Sequence, residues 1–559
     1  MHILVRSSDT GGVLVWPVSD TGTAVSAPEG SLSDEAFAAY VRQQERHAPR
    51  WVWDDTATWY PRLLARGVRI GRCHDLRLAH AILRLSTLAA ESALARADPD
   101  DWQMAAAGSG NPALFDLGDG RDIAEWFRLQ QEAVAGSRAP GRLRLLLAAE
   151  SAGALAAAEM RFAGLPWRRD VHERLLAAEL GPRAPHGIRP ERLERLAMRI
   201  REALGTPALN PDSPAELLKA LTDAGLSTAS TRAFELRRLE HPVIEPLLEY
   251  KKRARLLSAN GWAWLDAWVT AGRFHPEYVP GGVVTGRWAA HGGGALQLPK
   301  QVRGAVVADP GWKLVVADAA QLEPRMLAGV AGDRAMADAG RGTDLYAGIV
   351  AGGVVETRQQ AKSAMLGAMY GATTGRSAQV LPRLAAAYPR ALAAVEAAAR
   401  AGERGESVTT RLGRSSPRPN ATWRLAQAHA SEAQATPADE RRARSQAREW
   451  GRFTRNFIVQ GSAAEWALCW LAEIRNRLWN LDLPHETANG RSAAPFRARP
   501  HLVFFLHDEV IVHTPAALAD QVADLVREAA GQAGRLLFGE FPVDFPLSAR
   551  IVDDYAEAT

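Results

Sequence analysis

Two apolar runs that flank a charged tripeptide constrain this chain more than any other feature of its sequence. Residues 502–513 read LVFFLHDEVIVH, so the group His507-Asp508-Glu509 interrupts two runs of strand-like composition. Such a pattern predicts a β-hairpin whose turn carries the three polar side chains. Carboxylates beside buried strands are costly without a cation, and a metal site would compensate for them. For this segment alone, a solvated turn with ordinary charges is the alternative.

A second candidate carboxylate, Asp318, follows an apolar strand predicted over residues 313–317 and precedes a helix that begins near Gln321. A carboxylate at a strand end can bind a cation, and the backbone carbonyl of Ala319 can supply another oxygen ligand. Two such Asp residues on neighbouring strands can hold a pair of Mg²⁺ ions about 3.5–4 Å apart. We therefore expect Asp318 and Asp508 to lie together, although the strand–Asp–helix pattern is weak by itself.

A stripe of side chains is predicted on the helix within residues 357–375, where Arg358, Lys362, Leu366 and Tyr370 recur every four residues. At a rise of 1.5 Å per residue the stripe is about 18 Å long, which suits an extended nucleoside triphosphate. Cations at one end would bind the phosphates, and the apolar end would contact the nucleoside. An amphipathic helix with a solvated cationic end is the alternative.

A second stripe within residues 451–468 consists of Arg452, Asn456 and Gln460, again at a spacing of four residues. Their donors could contact the minor-groove acceptors, which lie at similar positions in every base pair. Contacts of that kind check the geometry of base pairing without reading sequence. A capped surface helix fits this segment equally well.

Length and composition exclude several classes of protein. A chain of 559 residues is too long for one hydrophobic core, so we expect three or four packed units. The net charge of +4 requires any nucleic-acid-binding surface to be local. Two cysteines exclude a disulfide framework, and the N-terminus has no signal-peptide core. Because charged residues break every long apolar run, we predict no membrane span and a cytoplasmic protein.

The texture of the sequence changes along the chain. Residues 1 to about 165 have mixed strand and helix patterns, and the stretch to about 270 is strongly helical. Short strands and Gly-rich turns follow from 273, and helices dominate 320–480. Within that stretch, residues 414–445 are polar and contain prolines at 417, 419 and 437, which predicts an irregular, mobile segment.

Taken in order, the hairpin, the strand–Asp pattern and the two stripes resemble the signature motifs of DNA polymerase family A, the DNA polymerase I-type enzymes. The resemblance extends over about 190–559. The matching segments include VVTGRWAA at 283–290, LQLP at 296–299, ADAAQLEPR at 317–325, VTTRLGR at 408–414, QGSAAE at 460–465 and LHDEV at 506–510. No single motif is decisive, whereas this many motifs in the family's order are not expected by chance.

The resemblance implies a role for each matching residue. Asp318 and Asp508, with the carbonyl of Ala319, would bind two Mg²⁺ ions, for which Mn²⁺ could substitute. Glu509 would support the primer end, and Lys362 would protonate the leaving pyrophosphate. Glu323 would be the steric gate that excludes a ribose 2′-hydroxyl, braced by Tyr370. The remaining nucleotide contacts would come from Arg358, Lys362, Leu366, Tyr370 and Gln321, and the primer–template contacts from Arg287, Arg452, Asn456, Gln460 and His507.

A helical region near residues 249–257 resembles the thumb of the family, where Lys251, Lys252 and Arg255 would hold backbone phosphates. A solvated basic face is the alternative. The chain also departs from the family pattern: Ala319 and Ala320 stand where the first catalytic motif usually reads Tyr-Ser, and Leu366 replaces an aromatic residue. We expect these changes to alter nucleotide affinity or sugar discrimination and to leave the metal ligands intact.

The resemblance implies a multidomain α/β fold: an RNase H-like, exonuclease-type N-terminal domain followed by a right-hand polymerase with thumb, palm and helical fingers. The palm would contain an antiparallel sheet. We predict the N-terminal domain over 1–165, the thumb over 166–272, the palm over 273–330 and 449–559, and the fingers over 331–448.

The N-terminal domain lacks the acidic set that a 3′–5′ exonuclease needs to bind paired metal ions. The first strand has only Asp9 nearby, and Trp59 stands where an Asp would align. Asp54, Asp55 and Asp75 are candidates only in a loose sense. We therefore predict a structural domain without proofreading activity, and we expect no 5′-nuclease domain in the available length.

The sequence as a whole predicts a template-directed DNA polymerase that takes primer–template DNA and dNTPs. We expect a monomer, associated with the nucleoid in a bacterial cytoplasm. One alternative is a bifunctional enzyme with 3′–5′ exonuclease activity. Another is a decayed polymerase fold kept as a DNA-binding scaffold, against which the retention of Asp318, Asp508, Arg358 and Lys362 argues.

Overall fold

The computed structural model describes residues 1–8, 11–23, 25–26, 30–97, 123–185, 187–371, 375–484 and 490–558, with the backbone alone at 297 and 375–378. The chain forms two compact units rather than the three or four expected from its length. The larger unit comprises Met1–Ala163, Tyr278–Ala289 and Pro310–Ile551, and the smaller one Gly164–Glu277, Ala290–Asp309 and Val552–Thr559. The chain clusters this way because residues 1–163 share a hydrophobic core with the segments that follow residue 310.

The N-terminal part of the larger unit is mixed α/β, as predicted. Its sheet has the order β2-β1-β3-β4, with β1 antiparallel to β2 and parallel to β3, and β3 parallel to β4. The strands are β1 (His2–Ser7), β2 (Val13–Val18), β3 (Arg50–Trp53) and β4 (Arg72–Asp75). The helices are α1 (Asp34–Gln44), α2 (Thr56–Leu64), α3 (Leu76–Leu85), α4 (Ala93–Arg96), α5 (Ile123–Ala135) and α6 (Pro140–Ala163). Buried tryptophans at 51, 53 and 59 fill the core beneath the sheet.

A second four-stranded sheet forms the centre of the larger unit, in the order β11-β12-β10-β13. Its strands are β10 (Trp312–Ala319), β11 (His501–Leu506), β12 (Glu509–Pro515) and β13 (Leu547–Val552). Strand β12 is antiparallel to both β10 and β11. The apolar runs that predicted these strands are buried, because α6, α21 (Ala519–Phe538) and a long helix that ends at residue 479 pack against the sheet.

Helices make up most of the chain between residues 322 and 479. They are α13 (Leu322–Ala331), α14 (Arg334–Gly340), α15 (Leu345–Ala351), α16 (Arg358–Tyr370), α17 (Gly375–Ala387), α18 (Pro389–Glu403), α19 (Ala421–His429) and α20 (Pro437–Trp479). The prediction of an irregular segment over 414–445 was wrong for much of its length. Helix α19 lies inside it, and α20 begins at Pro437, where Thr436 and Asp439 form a capping box.

The smaller unit is mainly helical and has its own core, formed by residues such as Leu193, Leu217 and Tyr250. Its helices are α7 (Arg169–Leu180), α8 (Glu191–Leu204), α9 (Pro214–Asp223), α10 (Ala233–Leu236), α11 (Ile244–Asn260) and α12 (Trp262–Trp268). Strands β5 (Leu165–Pro166), β6 (Val269–Thr270) and β7 (Arg273–Phe274) form a small antiparallel sheet. The remaining short strands are β8 (Tyr278–Val279) and β9 (Ala289–Ala290), and the 3₁₀ helices are Glu45–His47, Ala295–Gln297, Lys300–Ala305, Ala516–Leu518 and Tyr555–Ala558.

A search of the described helices for a bilayer-spanning segment gives none that is both long and apolar enough.

Candidate active site

The hairpin predicted at residues 502–513 is present, and its turn holds the charged tripeptide. His507 has a φ of 59°, in the left-handed region, and the backbone N–H of Asp508 donates to the carbonyl of Leu506 at 2.7 Å. A non-glycine residue with this conformation is uncommon and costs free energy, so the surrounding strands must impose it. The tight turn therefore fixes the direction of Asp508 at the end of β11.

Asp318 lies beside this turn because β10 pairs with β12. Asp318 is opposite Glu509 in the antiparallel register, and the backbone N–H of Ala319 donates to the carbonyl of Asp508 at 2.9 Å. Asp318 is exposed and Asp508 is half-buried. The structure thus brings together the two carboxylates that sequence reasoning selected, at neighbouring strand ends.

The electrostatic environment of Asp508 favours a nearby cation. Burial raises the pKa of Asp508 to about 6, and the negative charges of Glu509 and Glu323 act in the same direction, against a backbone hydrogen bond and Arg287. A divalent ion would reverse this shift. Among the described residues no group of three or more His, Cys, Asp or Glu side chains forms a metal cage. Two carboxylates and a carbonyl still fit Mg²⁺, which keeps several waters and uses few protein ligands.

A cleft of about 190 Å³ adjoins the hairpin turn. Six residues of the predicted site line it: Arg287, Gln321, Glu323, Leu366, His507 and Asp508. They come from four segments far apart in the sequence, which only the tertiary fold unites. Arg358 and Lys362 are exposed on α16 and do not belong to this lining.

Glu323 is held in the cleft by two neighbouring side chains. Arg287 Nη2 donates to Glu323 Oε1 at 2.5 Å, and Tyr370 Oη donates to Glu323 Oε2 at 2.8 Å. Gln460 Nε2 in turn donates to Tyr370 Oη at 3.2 Å. These bonds join four predicted motifs into one network and hold the carboxylate in a single position.

Helix α16 begins with a capping box between Thr357 and Gln360, which favours a helix start at Arg358. Arg358 does not point freely to solvent, because it donates to Asp344 Oδ2 at 2.7 Å. Gln321 Nε2 donates to the same oxygen at 3.0 Å. Sequence reasoning missed Asp344, whose only local signal was its position as the N-cap of α15.

The charge of Asp344 is stabilised where it lies. Partial burial alone would raise the pKa of Asp344, but the hydrogen bond from Arg358 and those from backbone N–H groups hold it below its ordinary value. Any anion that binds Arg358 would therefore have to compete with a carboxylate that remains ionised at neutral pH. Lys362, one turn further along the helix, is exposed.

The second stripe lies on one face of α20, near the end of α16. Arg452 is exposed, and a Cβ atom on Gly371 would come within 3.2 Å of its Cγ. Asn456 is half-buried, and its Oδ1 has no hydrogen-bond partner within the described part of the chain. His507 completes this side of the cleft, and burial together with Arg287 lowers the pKa of its imidazole.

The acidic residues considered for a nuclease site have structural partners instead. Asp54 accepts from Trp59 Nε1 at 2.5 Å, Asp55 caps α2 and binds Arg77, and Asp75 caps α3 and accepts from the backbone N–H of Thr56 at 2.8 Å. Asp9 lies outside the described residues.

The three basic residues predicted to bind backbone phosphates lie on α11 in the smaller unit. Lys251 is half-buried and donates to Thr231 Oγ1 at 3.0 Å, and burial lowers the pKa of its amine. Lys252 and Arg255 are exposed on the same helix. Their assignment to a thumb stays a prediction.

A family model and several known proteins match this chain. The model of the family described as DNA polymerase family A matches residues 189–555. The thermostable DNA polymerase I of Thermus filiformis is 25% identical over 402 residues, which cover 64% of this chain and 43% of that protein. DNA polymerase I of Chloroflexus aurantiacus is 31% identical over 193 residues, or 31% of this chain and 20% of that protein. The chain thus spans less than half the length of these relatives.

A solved structure shares the fold. It is described as the POL domain of Pol1 from M. smegmatis in complex with DNA primer-template and dNTP. The two superpose with a TM-score of 0.67 at 19% sequence identity, over 100% of this chain and 95% of that one.

Proposed function

Because the chain belongs to DNA polymerase family A, we propose that it extends the 3′ end of a DNA primer by template-directed addition of deoxynucleotides. The observation that carries this proposal is the juxtaposition of Asp318 and Asp508 at neighbouring strand ends, beside a cleft that contains Glu323. Two carboxylates at neighbouring strand ends suit nucleotidyl transfer, because charge develops on both the attacking and the leaving oxygen.

Asp318, Asp508 and the carbonyl of Ala319 would hold two Mg²⁺ ions, with Mn²⁺ as a possible substitute. When bound, such ions lower the pKa of an attacking hydroxyl and neutralise a leaving pyrophosphate. The other contacts with the substrates come from side chains of this chain. Arg358 binds the triphosphate after leaving Asp344, Lys362 donates a proton to the departing pyrophosphate, and Glu509 supports the primer terminus.

Discrimination against ribonucleotides would come from Glu323. Arg287 and Tyr370 hold its carboxylate in place, so a 2′-hydroxyl would meet a fixed, charged obstacle. Gln321 and Leu366 line the same cleft and would contact the nucleotide, with Leu366 providing less stacking area than an aromatic residue.

The partners under this proposal are primer–template DNA and dNTPs, and the protein acts as a monomer at a bacterial nucleoid. Arg287, His507, Arg452, Asn456 and Gln460 contact the duplex end, and Lys251, Lys252 and Arg255 the backbone. In this assignment the thumb is 166–272, the palm 273–330 and 449–559, and the fingers 331–448. The N-terminal region 1–165 is structural, since Asp55 and Asp75 cap helices and Asp54 accepts a hydrogen bond from Trp59.

A primer-extension assay tests the proposal. A 5′-labelled primer–template is incubated with Mg²⁺, with and without dNTPs, with the wild type, Asp318→Ala and Asp508→Ala. Each substitution is expected to reduce extension roughly a thousandfold, since fixed electrostatic groups of this kind contribute about 10²–10³ each. Asp524→Ala, at an exposed position on α21, is the matched control and should extend normally.

Three outcomes decide between the candidate functions. Extension by the wild type and by Asp524→Ala alone supports the polymerase. Primer shortening without dNTPs that survives both active-site substitutions would establish a separate nuclease in the N-terminal region. DNA binding without extension or shortening would leave a scaffold and refute the proposed activity.

A further inference from the structure

A buried ion pair connects the N-terminal region to the motifs of the candidate active site. Arg414 Nη2 donates to Glu150 Oε2 at 2.5 Å, and the side chains are 10% and 1% exposed. Glu150 lies in α6, and Arg414 ends the segment VTTRLGR. Burial of a charge pair is costly, and removing one partner leaves the other uncompensated. The proposed chemistry does not itself require either residue.

The ion pair supports the turn that precedes Arg287. Gly286 has a φ of 86°, and a Cβ atom at that position would lie 2.5 Å from Arg414 Nε. A Cβ atom on Gly281 would lie 2.9 Å from Glu150 Oε1. The turn is closed by hydrogen bonds from the N–H of Gly286 to the carbonyl of Val283 and from the N–H of Val283 to the carbonyl of Arg287. Its backbone therefore rests directly on the two charged groups.

Arg287 transmits this support into the cleft. It follows Gly286 immediately, and its guanidinium is bound to Glu323, which also binds Tyr370. Contacts thus run without a gap from α6, through Arg414 and the turn, to the side chains that line the cleft.

We propose that Glu150 is a positioning residue for primer–template binding, which acts through Arg414 to hold the 281–287 turn and with it Arg287. The inference rests on the proposed function and assigns the N-terminal region a part in synthesis that needs no nuclease chemistry. A guanidinium held in one orientation loses less conformational freedom when DNA binds, so its fixation strengthens binding.

The same helix offers a matched control. Glu159 is also buried in α6, where it pairs with Arg475 at 2.6 Å and with Arg69 at 3.2 Å and accepts from Tyr60. Its partners are remote from the 281–287 turn in sequence, and the three atoms nearest to a Cβ on Gly286 all belong to Arg414. Glu159→Gln therefore removes an equally buried carboxylate charge without touching the turn.

The experiment compares Glu150→Gln, Glu150→Asp and Glu159→Gln by steady-state primer extension and thermal unfolding. Glu150→Gln should raise KM for primer–template about tenfold with a smaller change in KM for dNTP, as loss of one charged hydrogen bond predicts. Glu150→Asp, which keeps the charge, should restore part of the loss. Glu159→Gln should lower the unfolding temperature and leave KM unchanged.

A double-variant cycle separates positioning from general destabilisation. In an Arg287→Ala background, Glu150→Gln should add no further rise in KM, because the residue it positions is gone. Additive effects in that background, or an equal rise in KM from Glu159→Gln, would overturn the inference. If Glu150→Gln does not fold, Glu150→Gln with Arg414→Gln removes both charges and must still weaken DNA binding.

Failure of the proposed function is distinguishable from failure of this inference. If the wild type does not extend primers, fluorescence anisotropy with the same labelled primer–template still measures binding. Equal affinities of the wild type and Glu150→Gln would then refute the positioning role. Normal extension by the wild type together with an unchanged KM in Glu150→Gln would refute it while the polymerase proposal stands.

Discussion

Glu465, on α20, is a fully buried carboxyl group whose hydrogen bonds indicate its protonation state. The backbone N–H of Leu412 donates to Oε2 at 2.7 Å, and Thr410 Oγ1 contacts Oε1. The hydroxyl of Thr410 also lies 3.1 Å from the carbonyl of Arg414, and one proton cannot serve both acceptors. Burial raises the pKa of Glu465 to about 7, so a proton on the carboxyl group completes the arrangement.

We predict that stability depends on pH through Glu465. Since its folded-state pKa lies above the ordinary 4.5, the stabilisation is fully present below about pH 4.5 and is lost as pH rises through about 7. Relative to Glu465→Gln, which mimics the protonated form, the wild type should lose up to about 3 kcal/mol over this range. Unfolding temperatures of both proteins between pH 4.5 and 8 measure the difference. Glu449→Gln, exposed on the same helix, is the control, and a difference that does not vary with pH would contradict the prediction.

A second prediction concerns the hydroxyl group of Tyr370. Its hydroxyl donates to Glu323 and accepts from Gln460, so Tyr370→Phe leaves Glu323 with one side-chain partner, Arg287. We expect discrimination between dNTP and rNTP to fall about tenfold, the effect of one hydrogen bond to a charged group. The ratio of kcat/KM for the two nucleotides measures it. Tyr388→Phe, at the N-terminal end of α18, should leave the ratio unchanged; a fall there too would point to general loosening.

Sequence reasoning selected the residues whose function depends on local pattern. Asp508 in its hairpin and Asp318 at its strand end could be predicted because continuous apolar runs and a charged interruption are visible within a dozen residues. Asp344 and Glu150 could not, since each matters through a partner that only the fold supplies. Glu150 and Arg414 are 264 residues apart, and no local pattern links them.

The start of α16 depends on Thr357, the residue that immediately precedes the helix. The side chain of Thr357 accepts from the backbone N–H of Gln360 at 3.2 Å, and Gln360 Oε1 accepts from the N–H of Thr357. This box holds the first turn of α16, which bears Arg358 and leads into the turn of Lys362. Because four N–H groups at a helix start have no partner within the helix, the cap decides whether that turn is formed.

We therefore predict that Thr357→Ala loosens the N-terminal end of α16. The helix start should lose about 1 kcal/mol, and KM for dNTP should rise severalfold with KM for primer–template unchanged. Thr436→Ala, which removes the equivalent box at the start of α20, provides the control. An equal rise in KM for dNTP from both substitutions would show that the effect does not arise in α16.

The elements also show why residues 414–445 were predicted incorrectly. Of the first fourteen residues of α20, only Ala443 is buried, so the segment has no apolar period from which a helix could be inferred. Its helix signals were chemical: Thr436 as N-cap, Pro437 at the first turn and a run of Ala, Arg and Glu. Capping chemistry was more informative here than hydrophobic patterning.

Across the larger unit, α6 is part of the central core and not an appendage. A Cβ atom on Gly153 would lie 2.5 Å from Leu468 Cδ2, so α6 and α20 approach closely at that point. Leu146 and Ala156 of α6 belong to the same core cluster as Trp466 and Val512. The sequence suggested an N-terminal region with its own strands and helices, and only the fold reveals how completely its last helix is buried with later segments.

We predict that a chain beginning at residue 164 does not fold cooperatively. It would lack α6, expose the apolar surface around Trp466 and leave Arg414 and Arg475 without their carboxylate partners. Near-ultraviolet circular dichroism and limited proteolysis should show lost tertiary packing. A chain beginning at residue 136, which keeps α6, is the control and should resist protease longer. A folded, primer-extending chain from residue 164 would contradict this prediction.

Helix α20 is long, so a small tilt would displace its ends more than its middle. Its 43 residues span about 64 Å, and it is closely packed at Gly461, where a Cβ atom would lie 2.4 Å from Thr410 Cγ2. Along the axis Arg452 is about 14 Å from that point and Pro437 about 36 Å, so a tilt about Gly461 would move the N-terminal end of the helix roughly two and a half times as far as Arg452. A fluorophore near Pro437 would therefore move farther than Arg452 in such a tilt, and it would report the tilt without occupying the cleft.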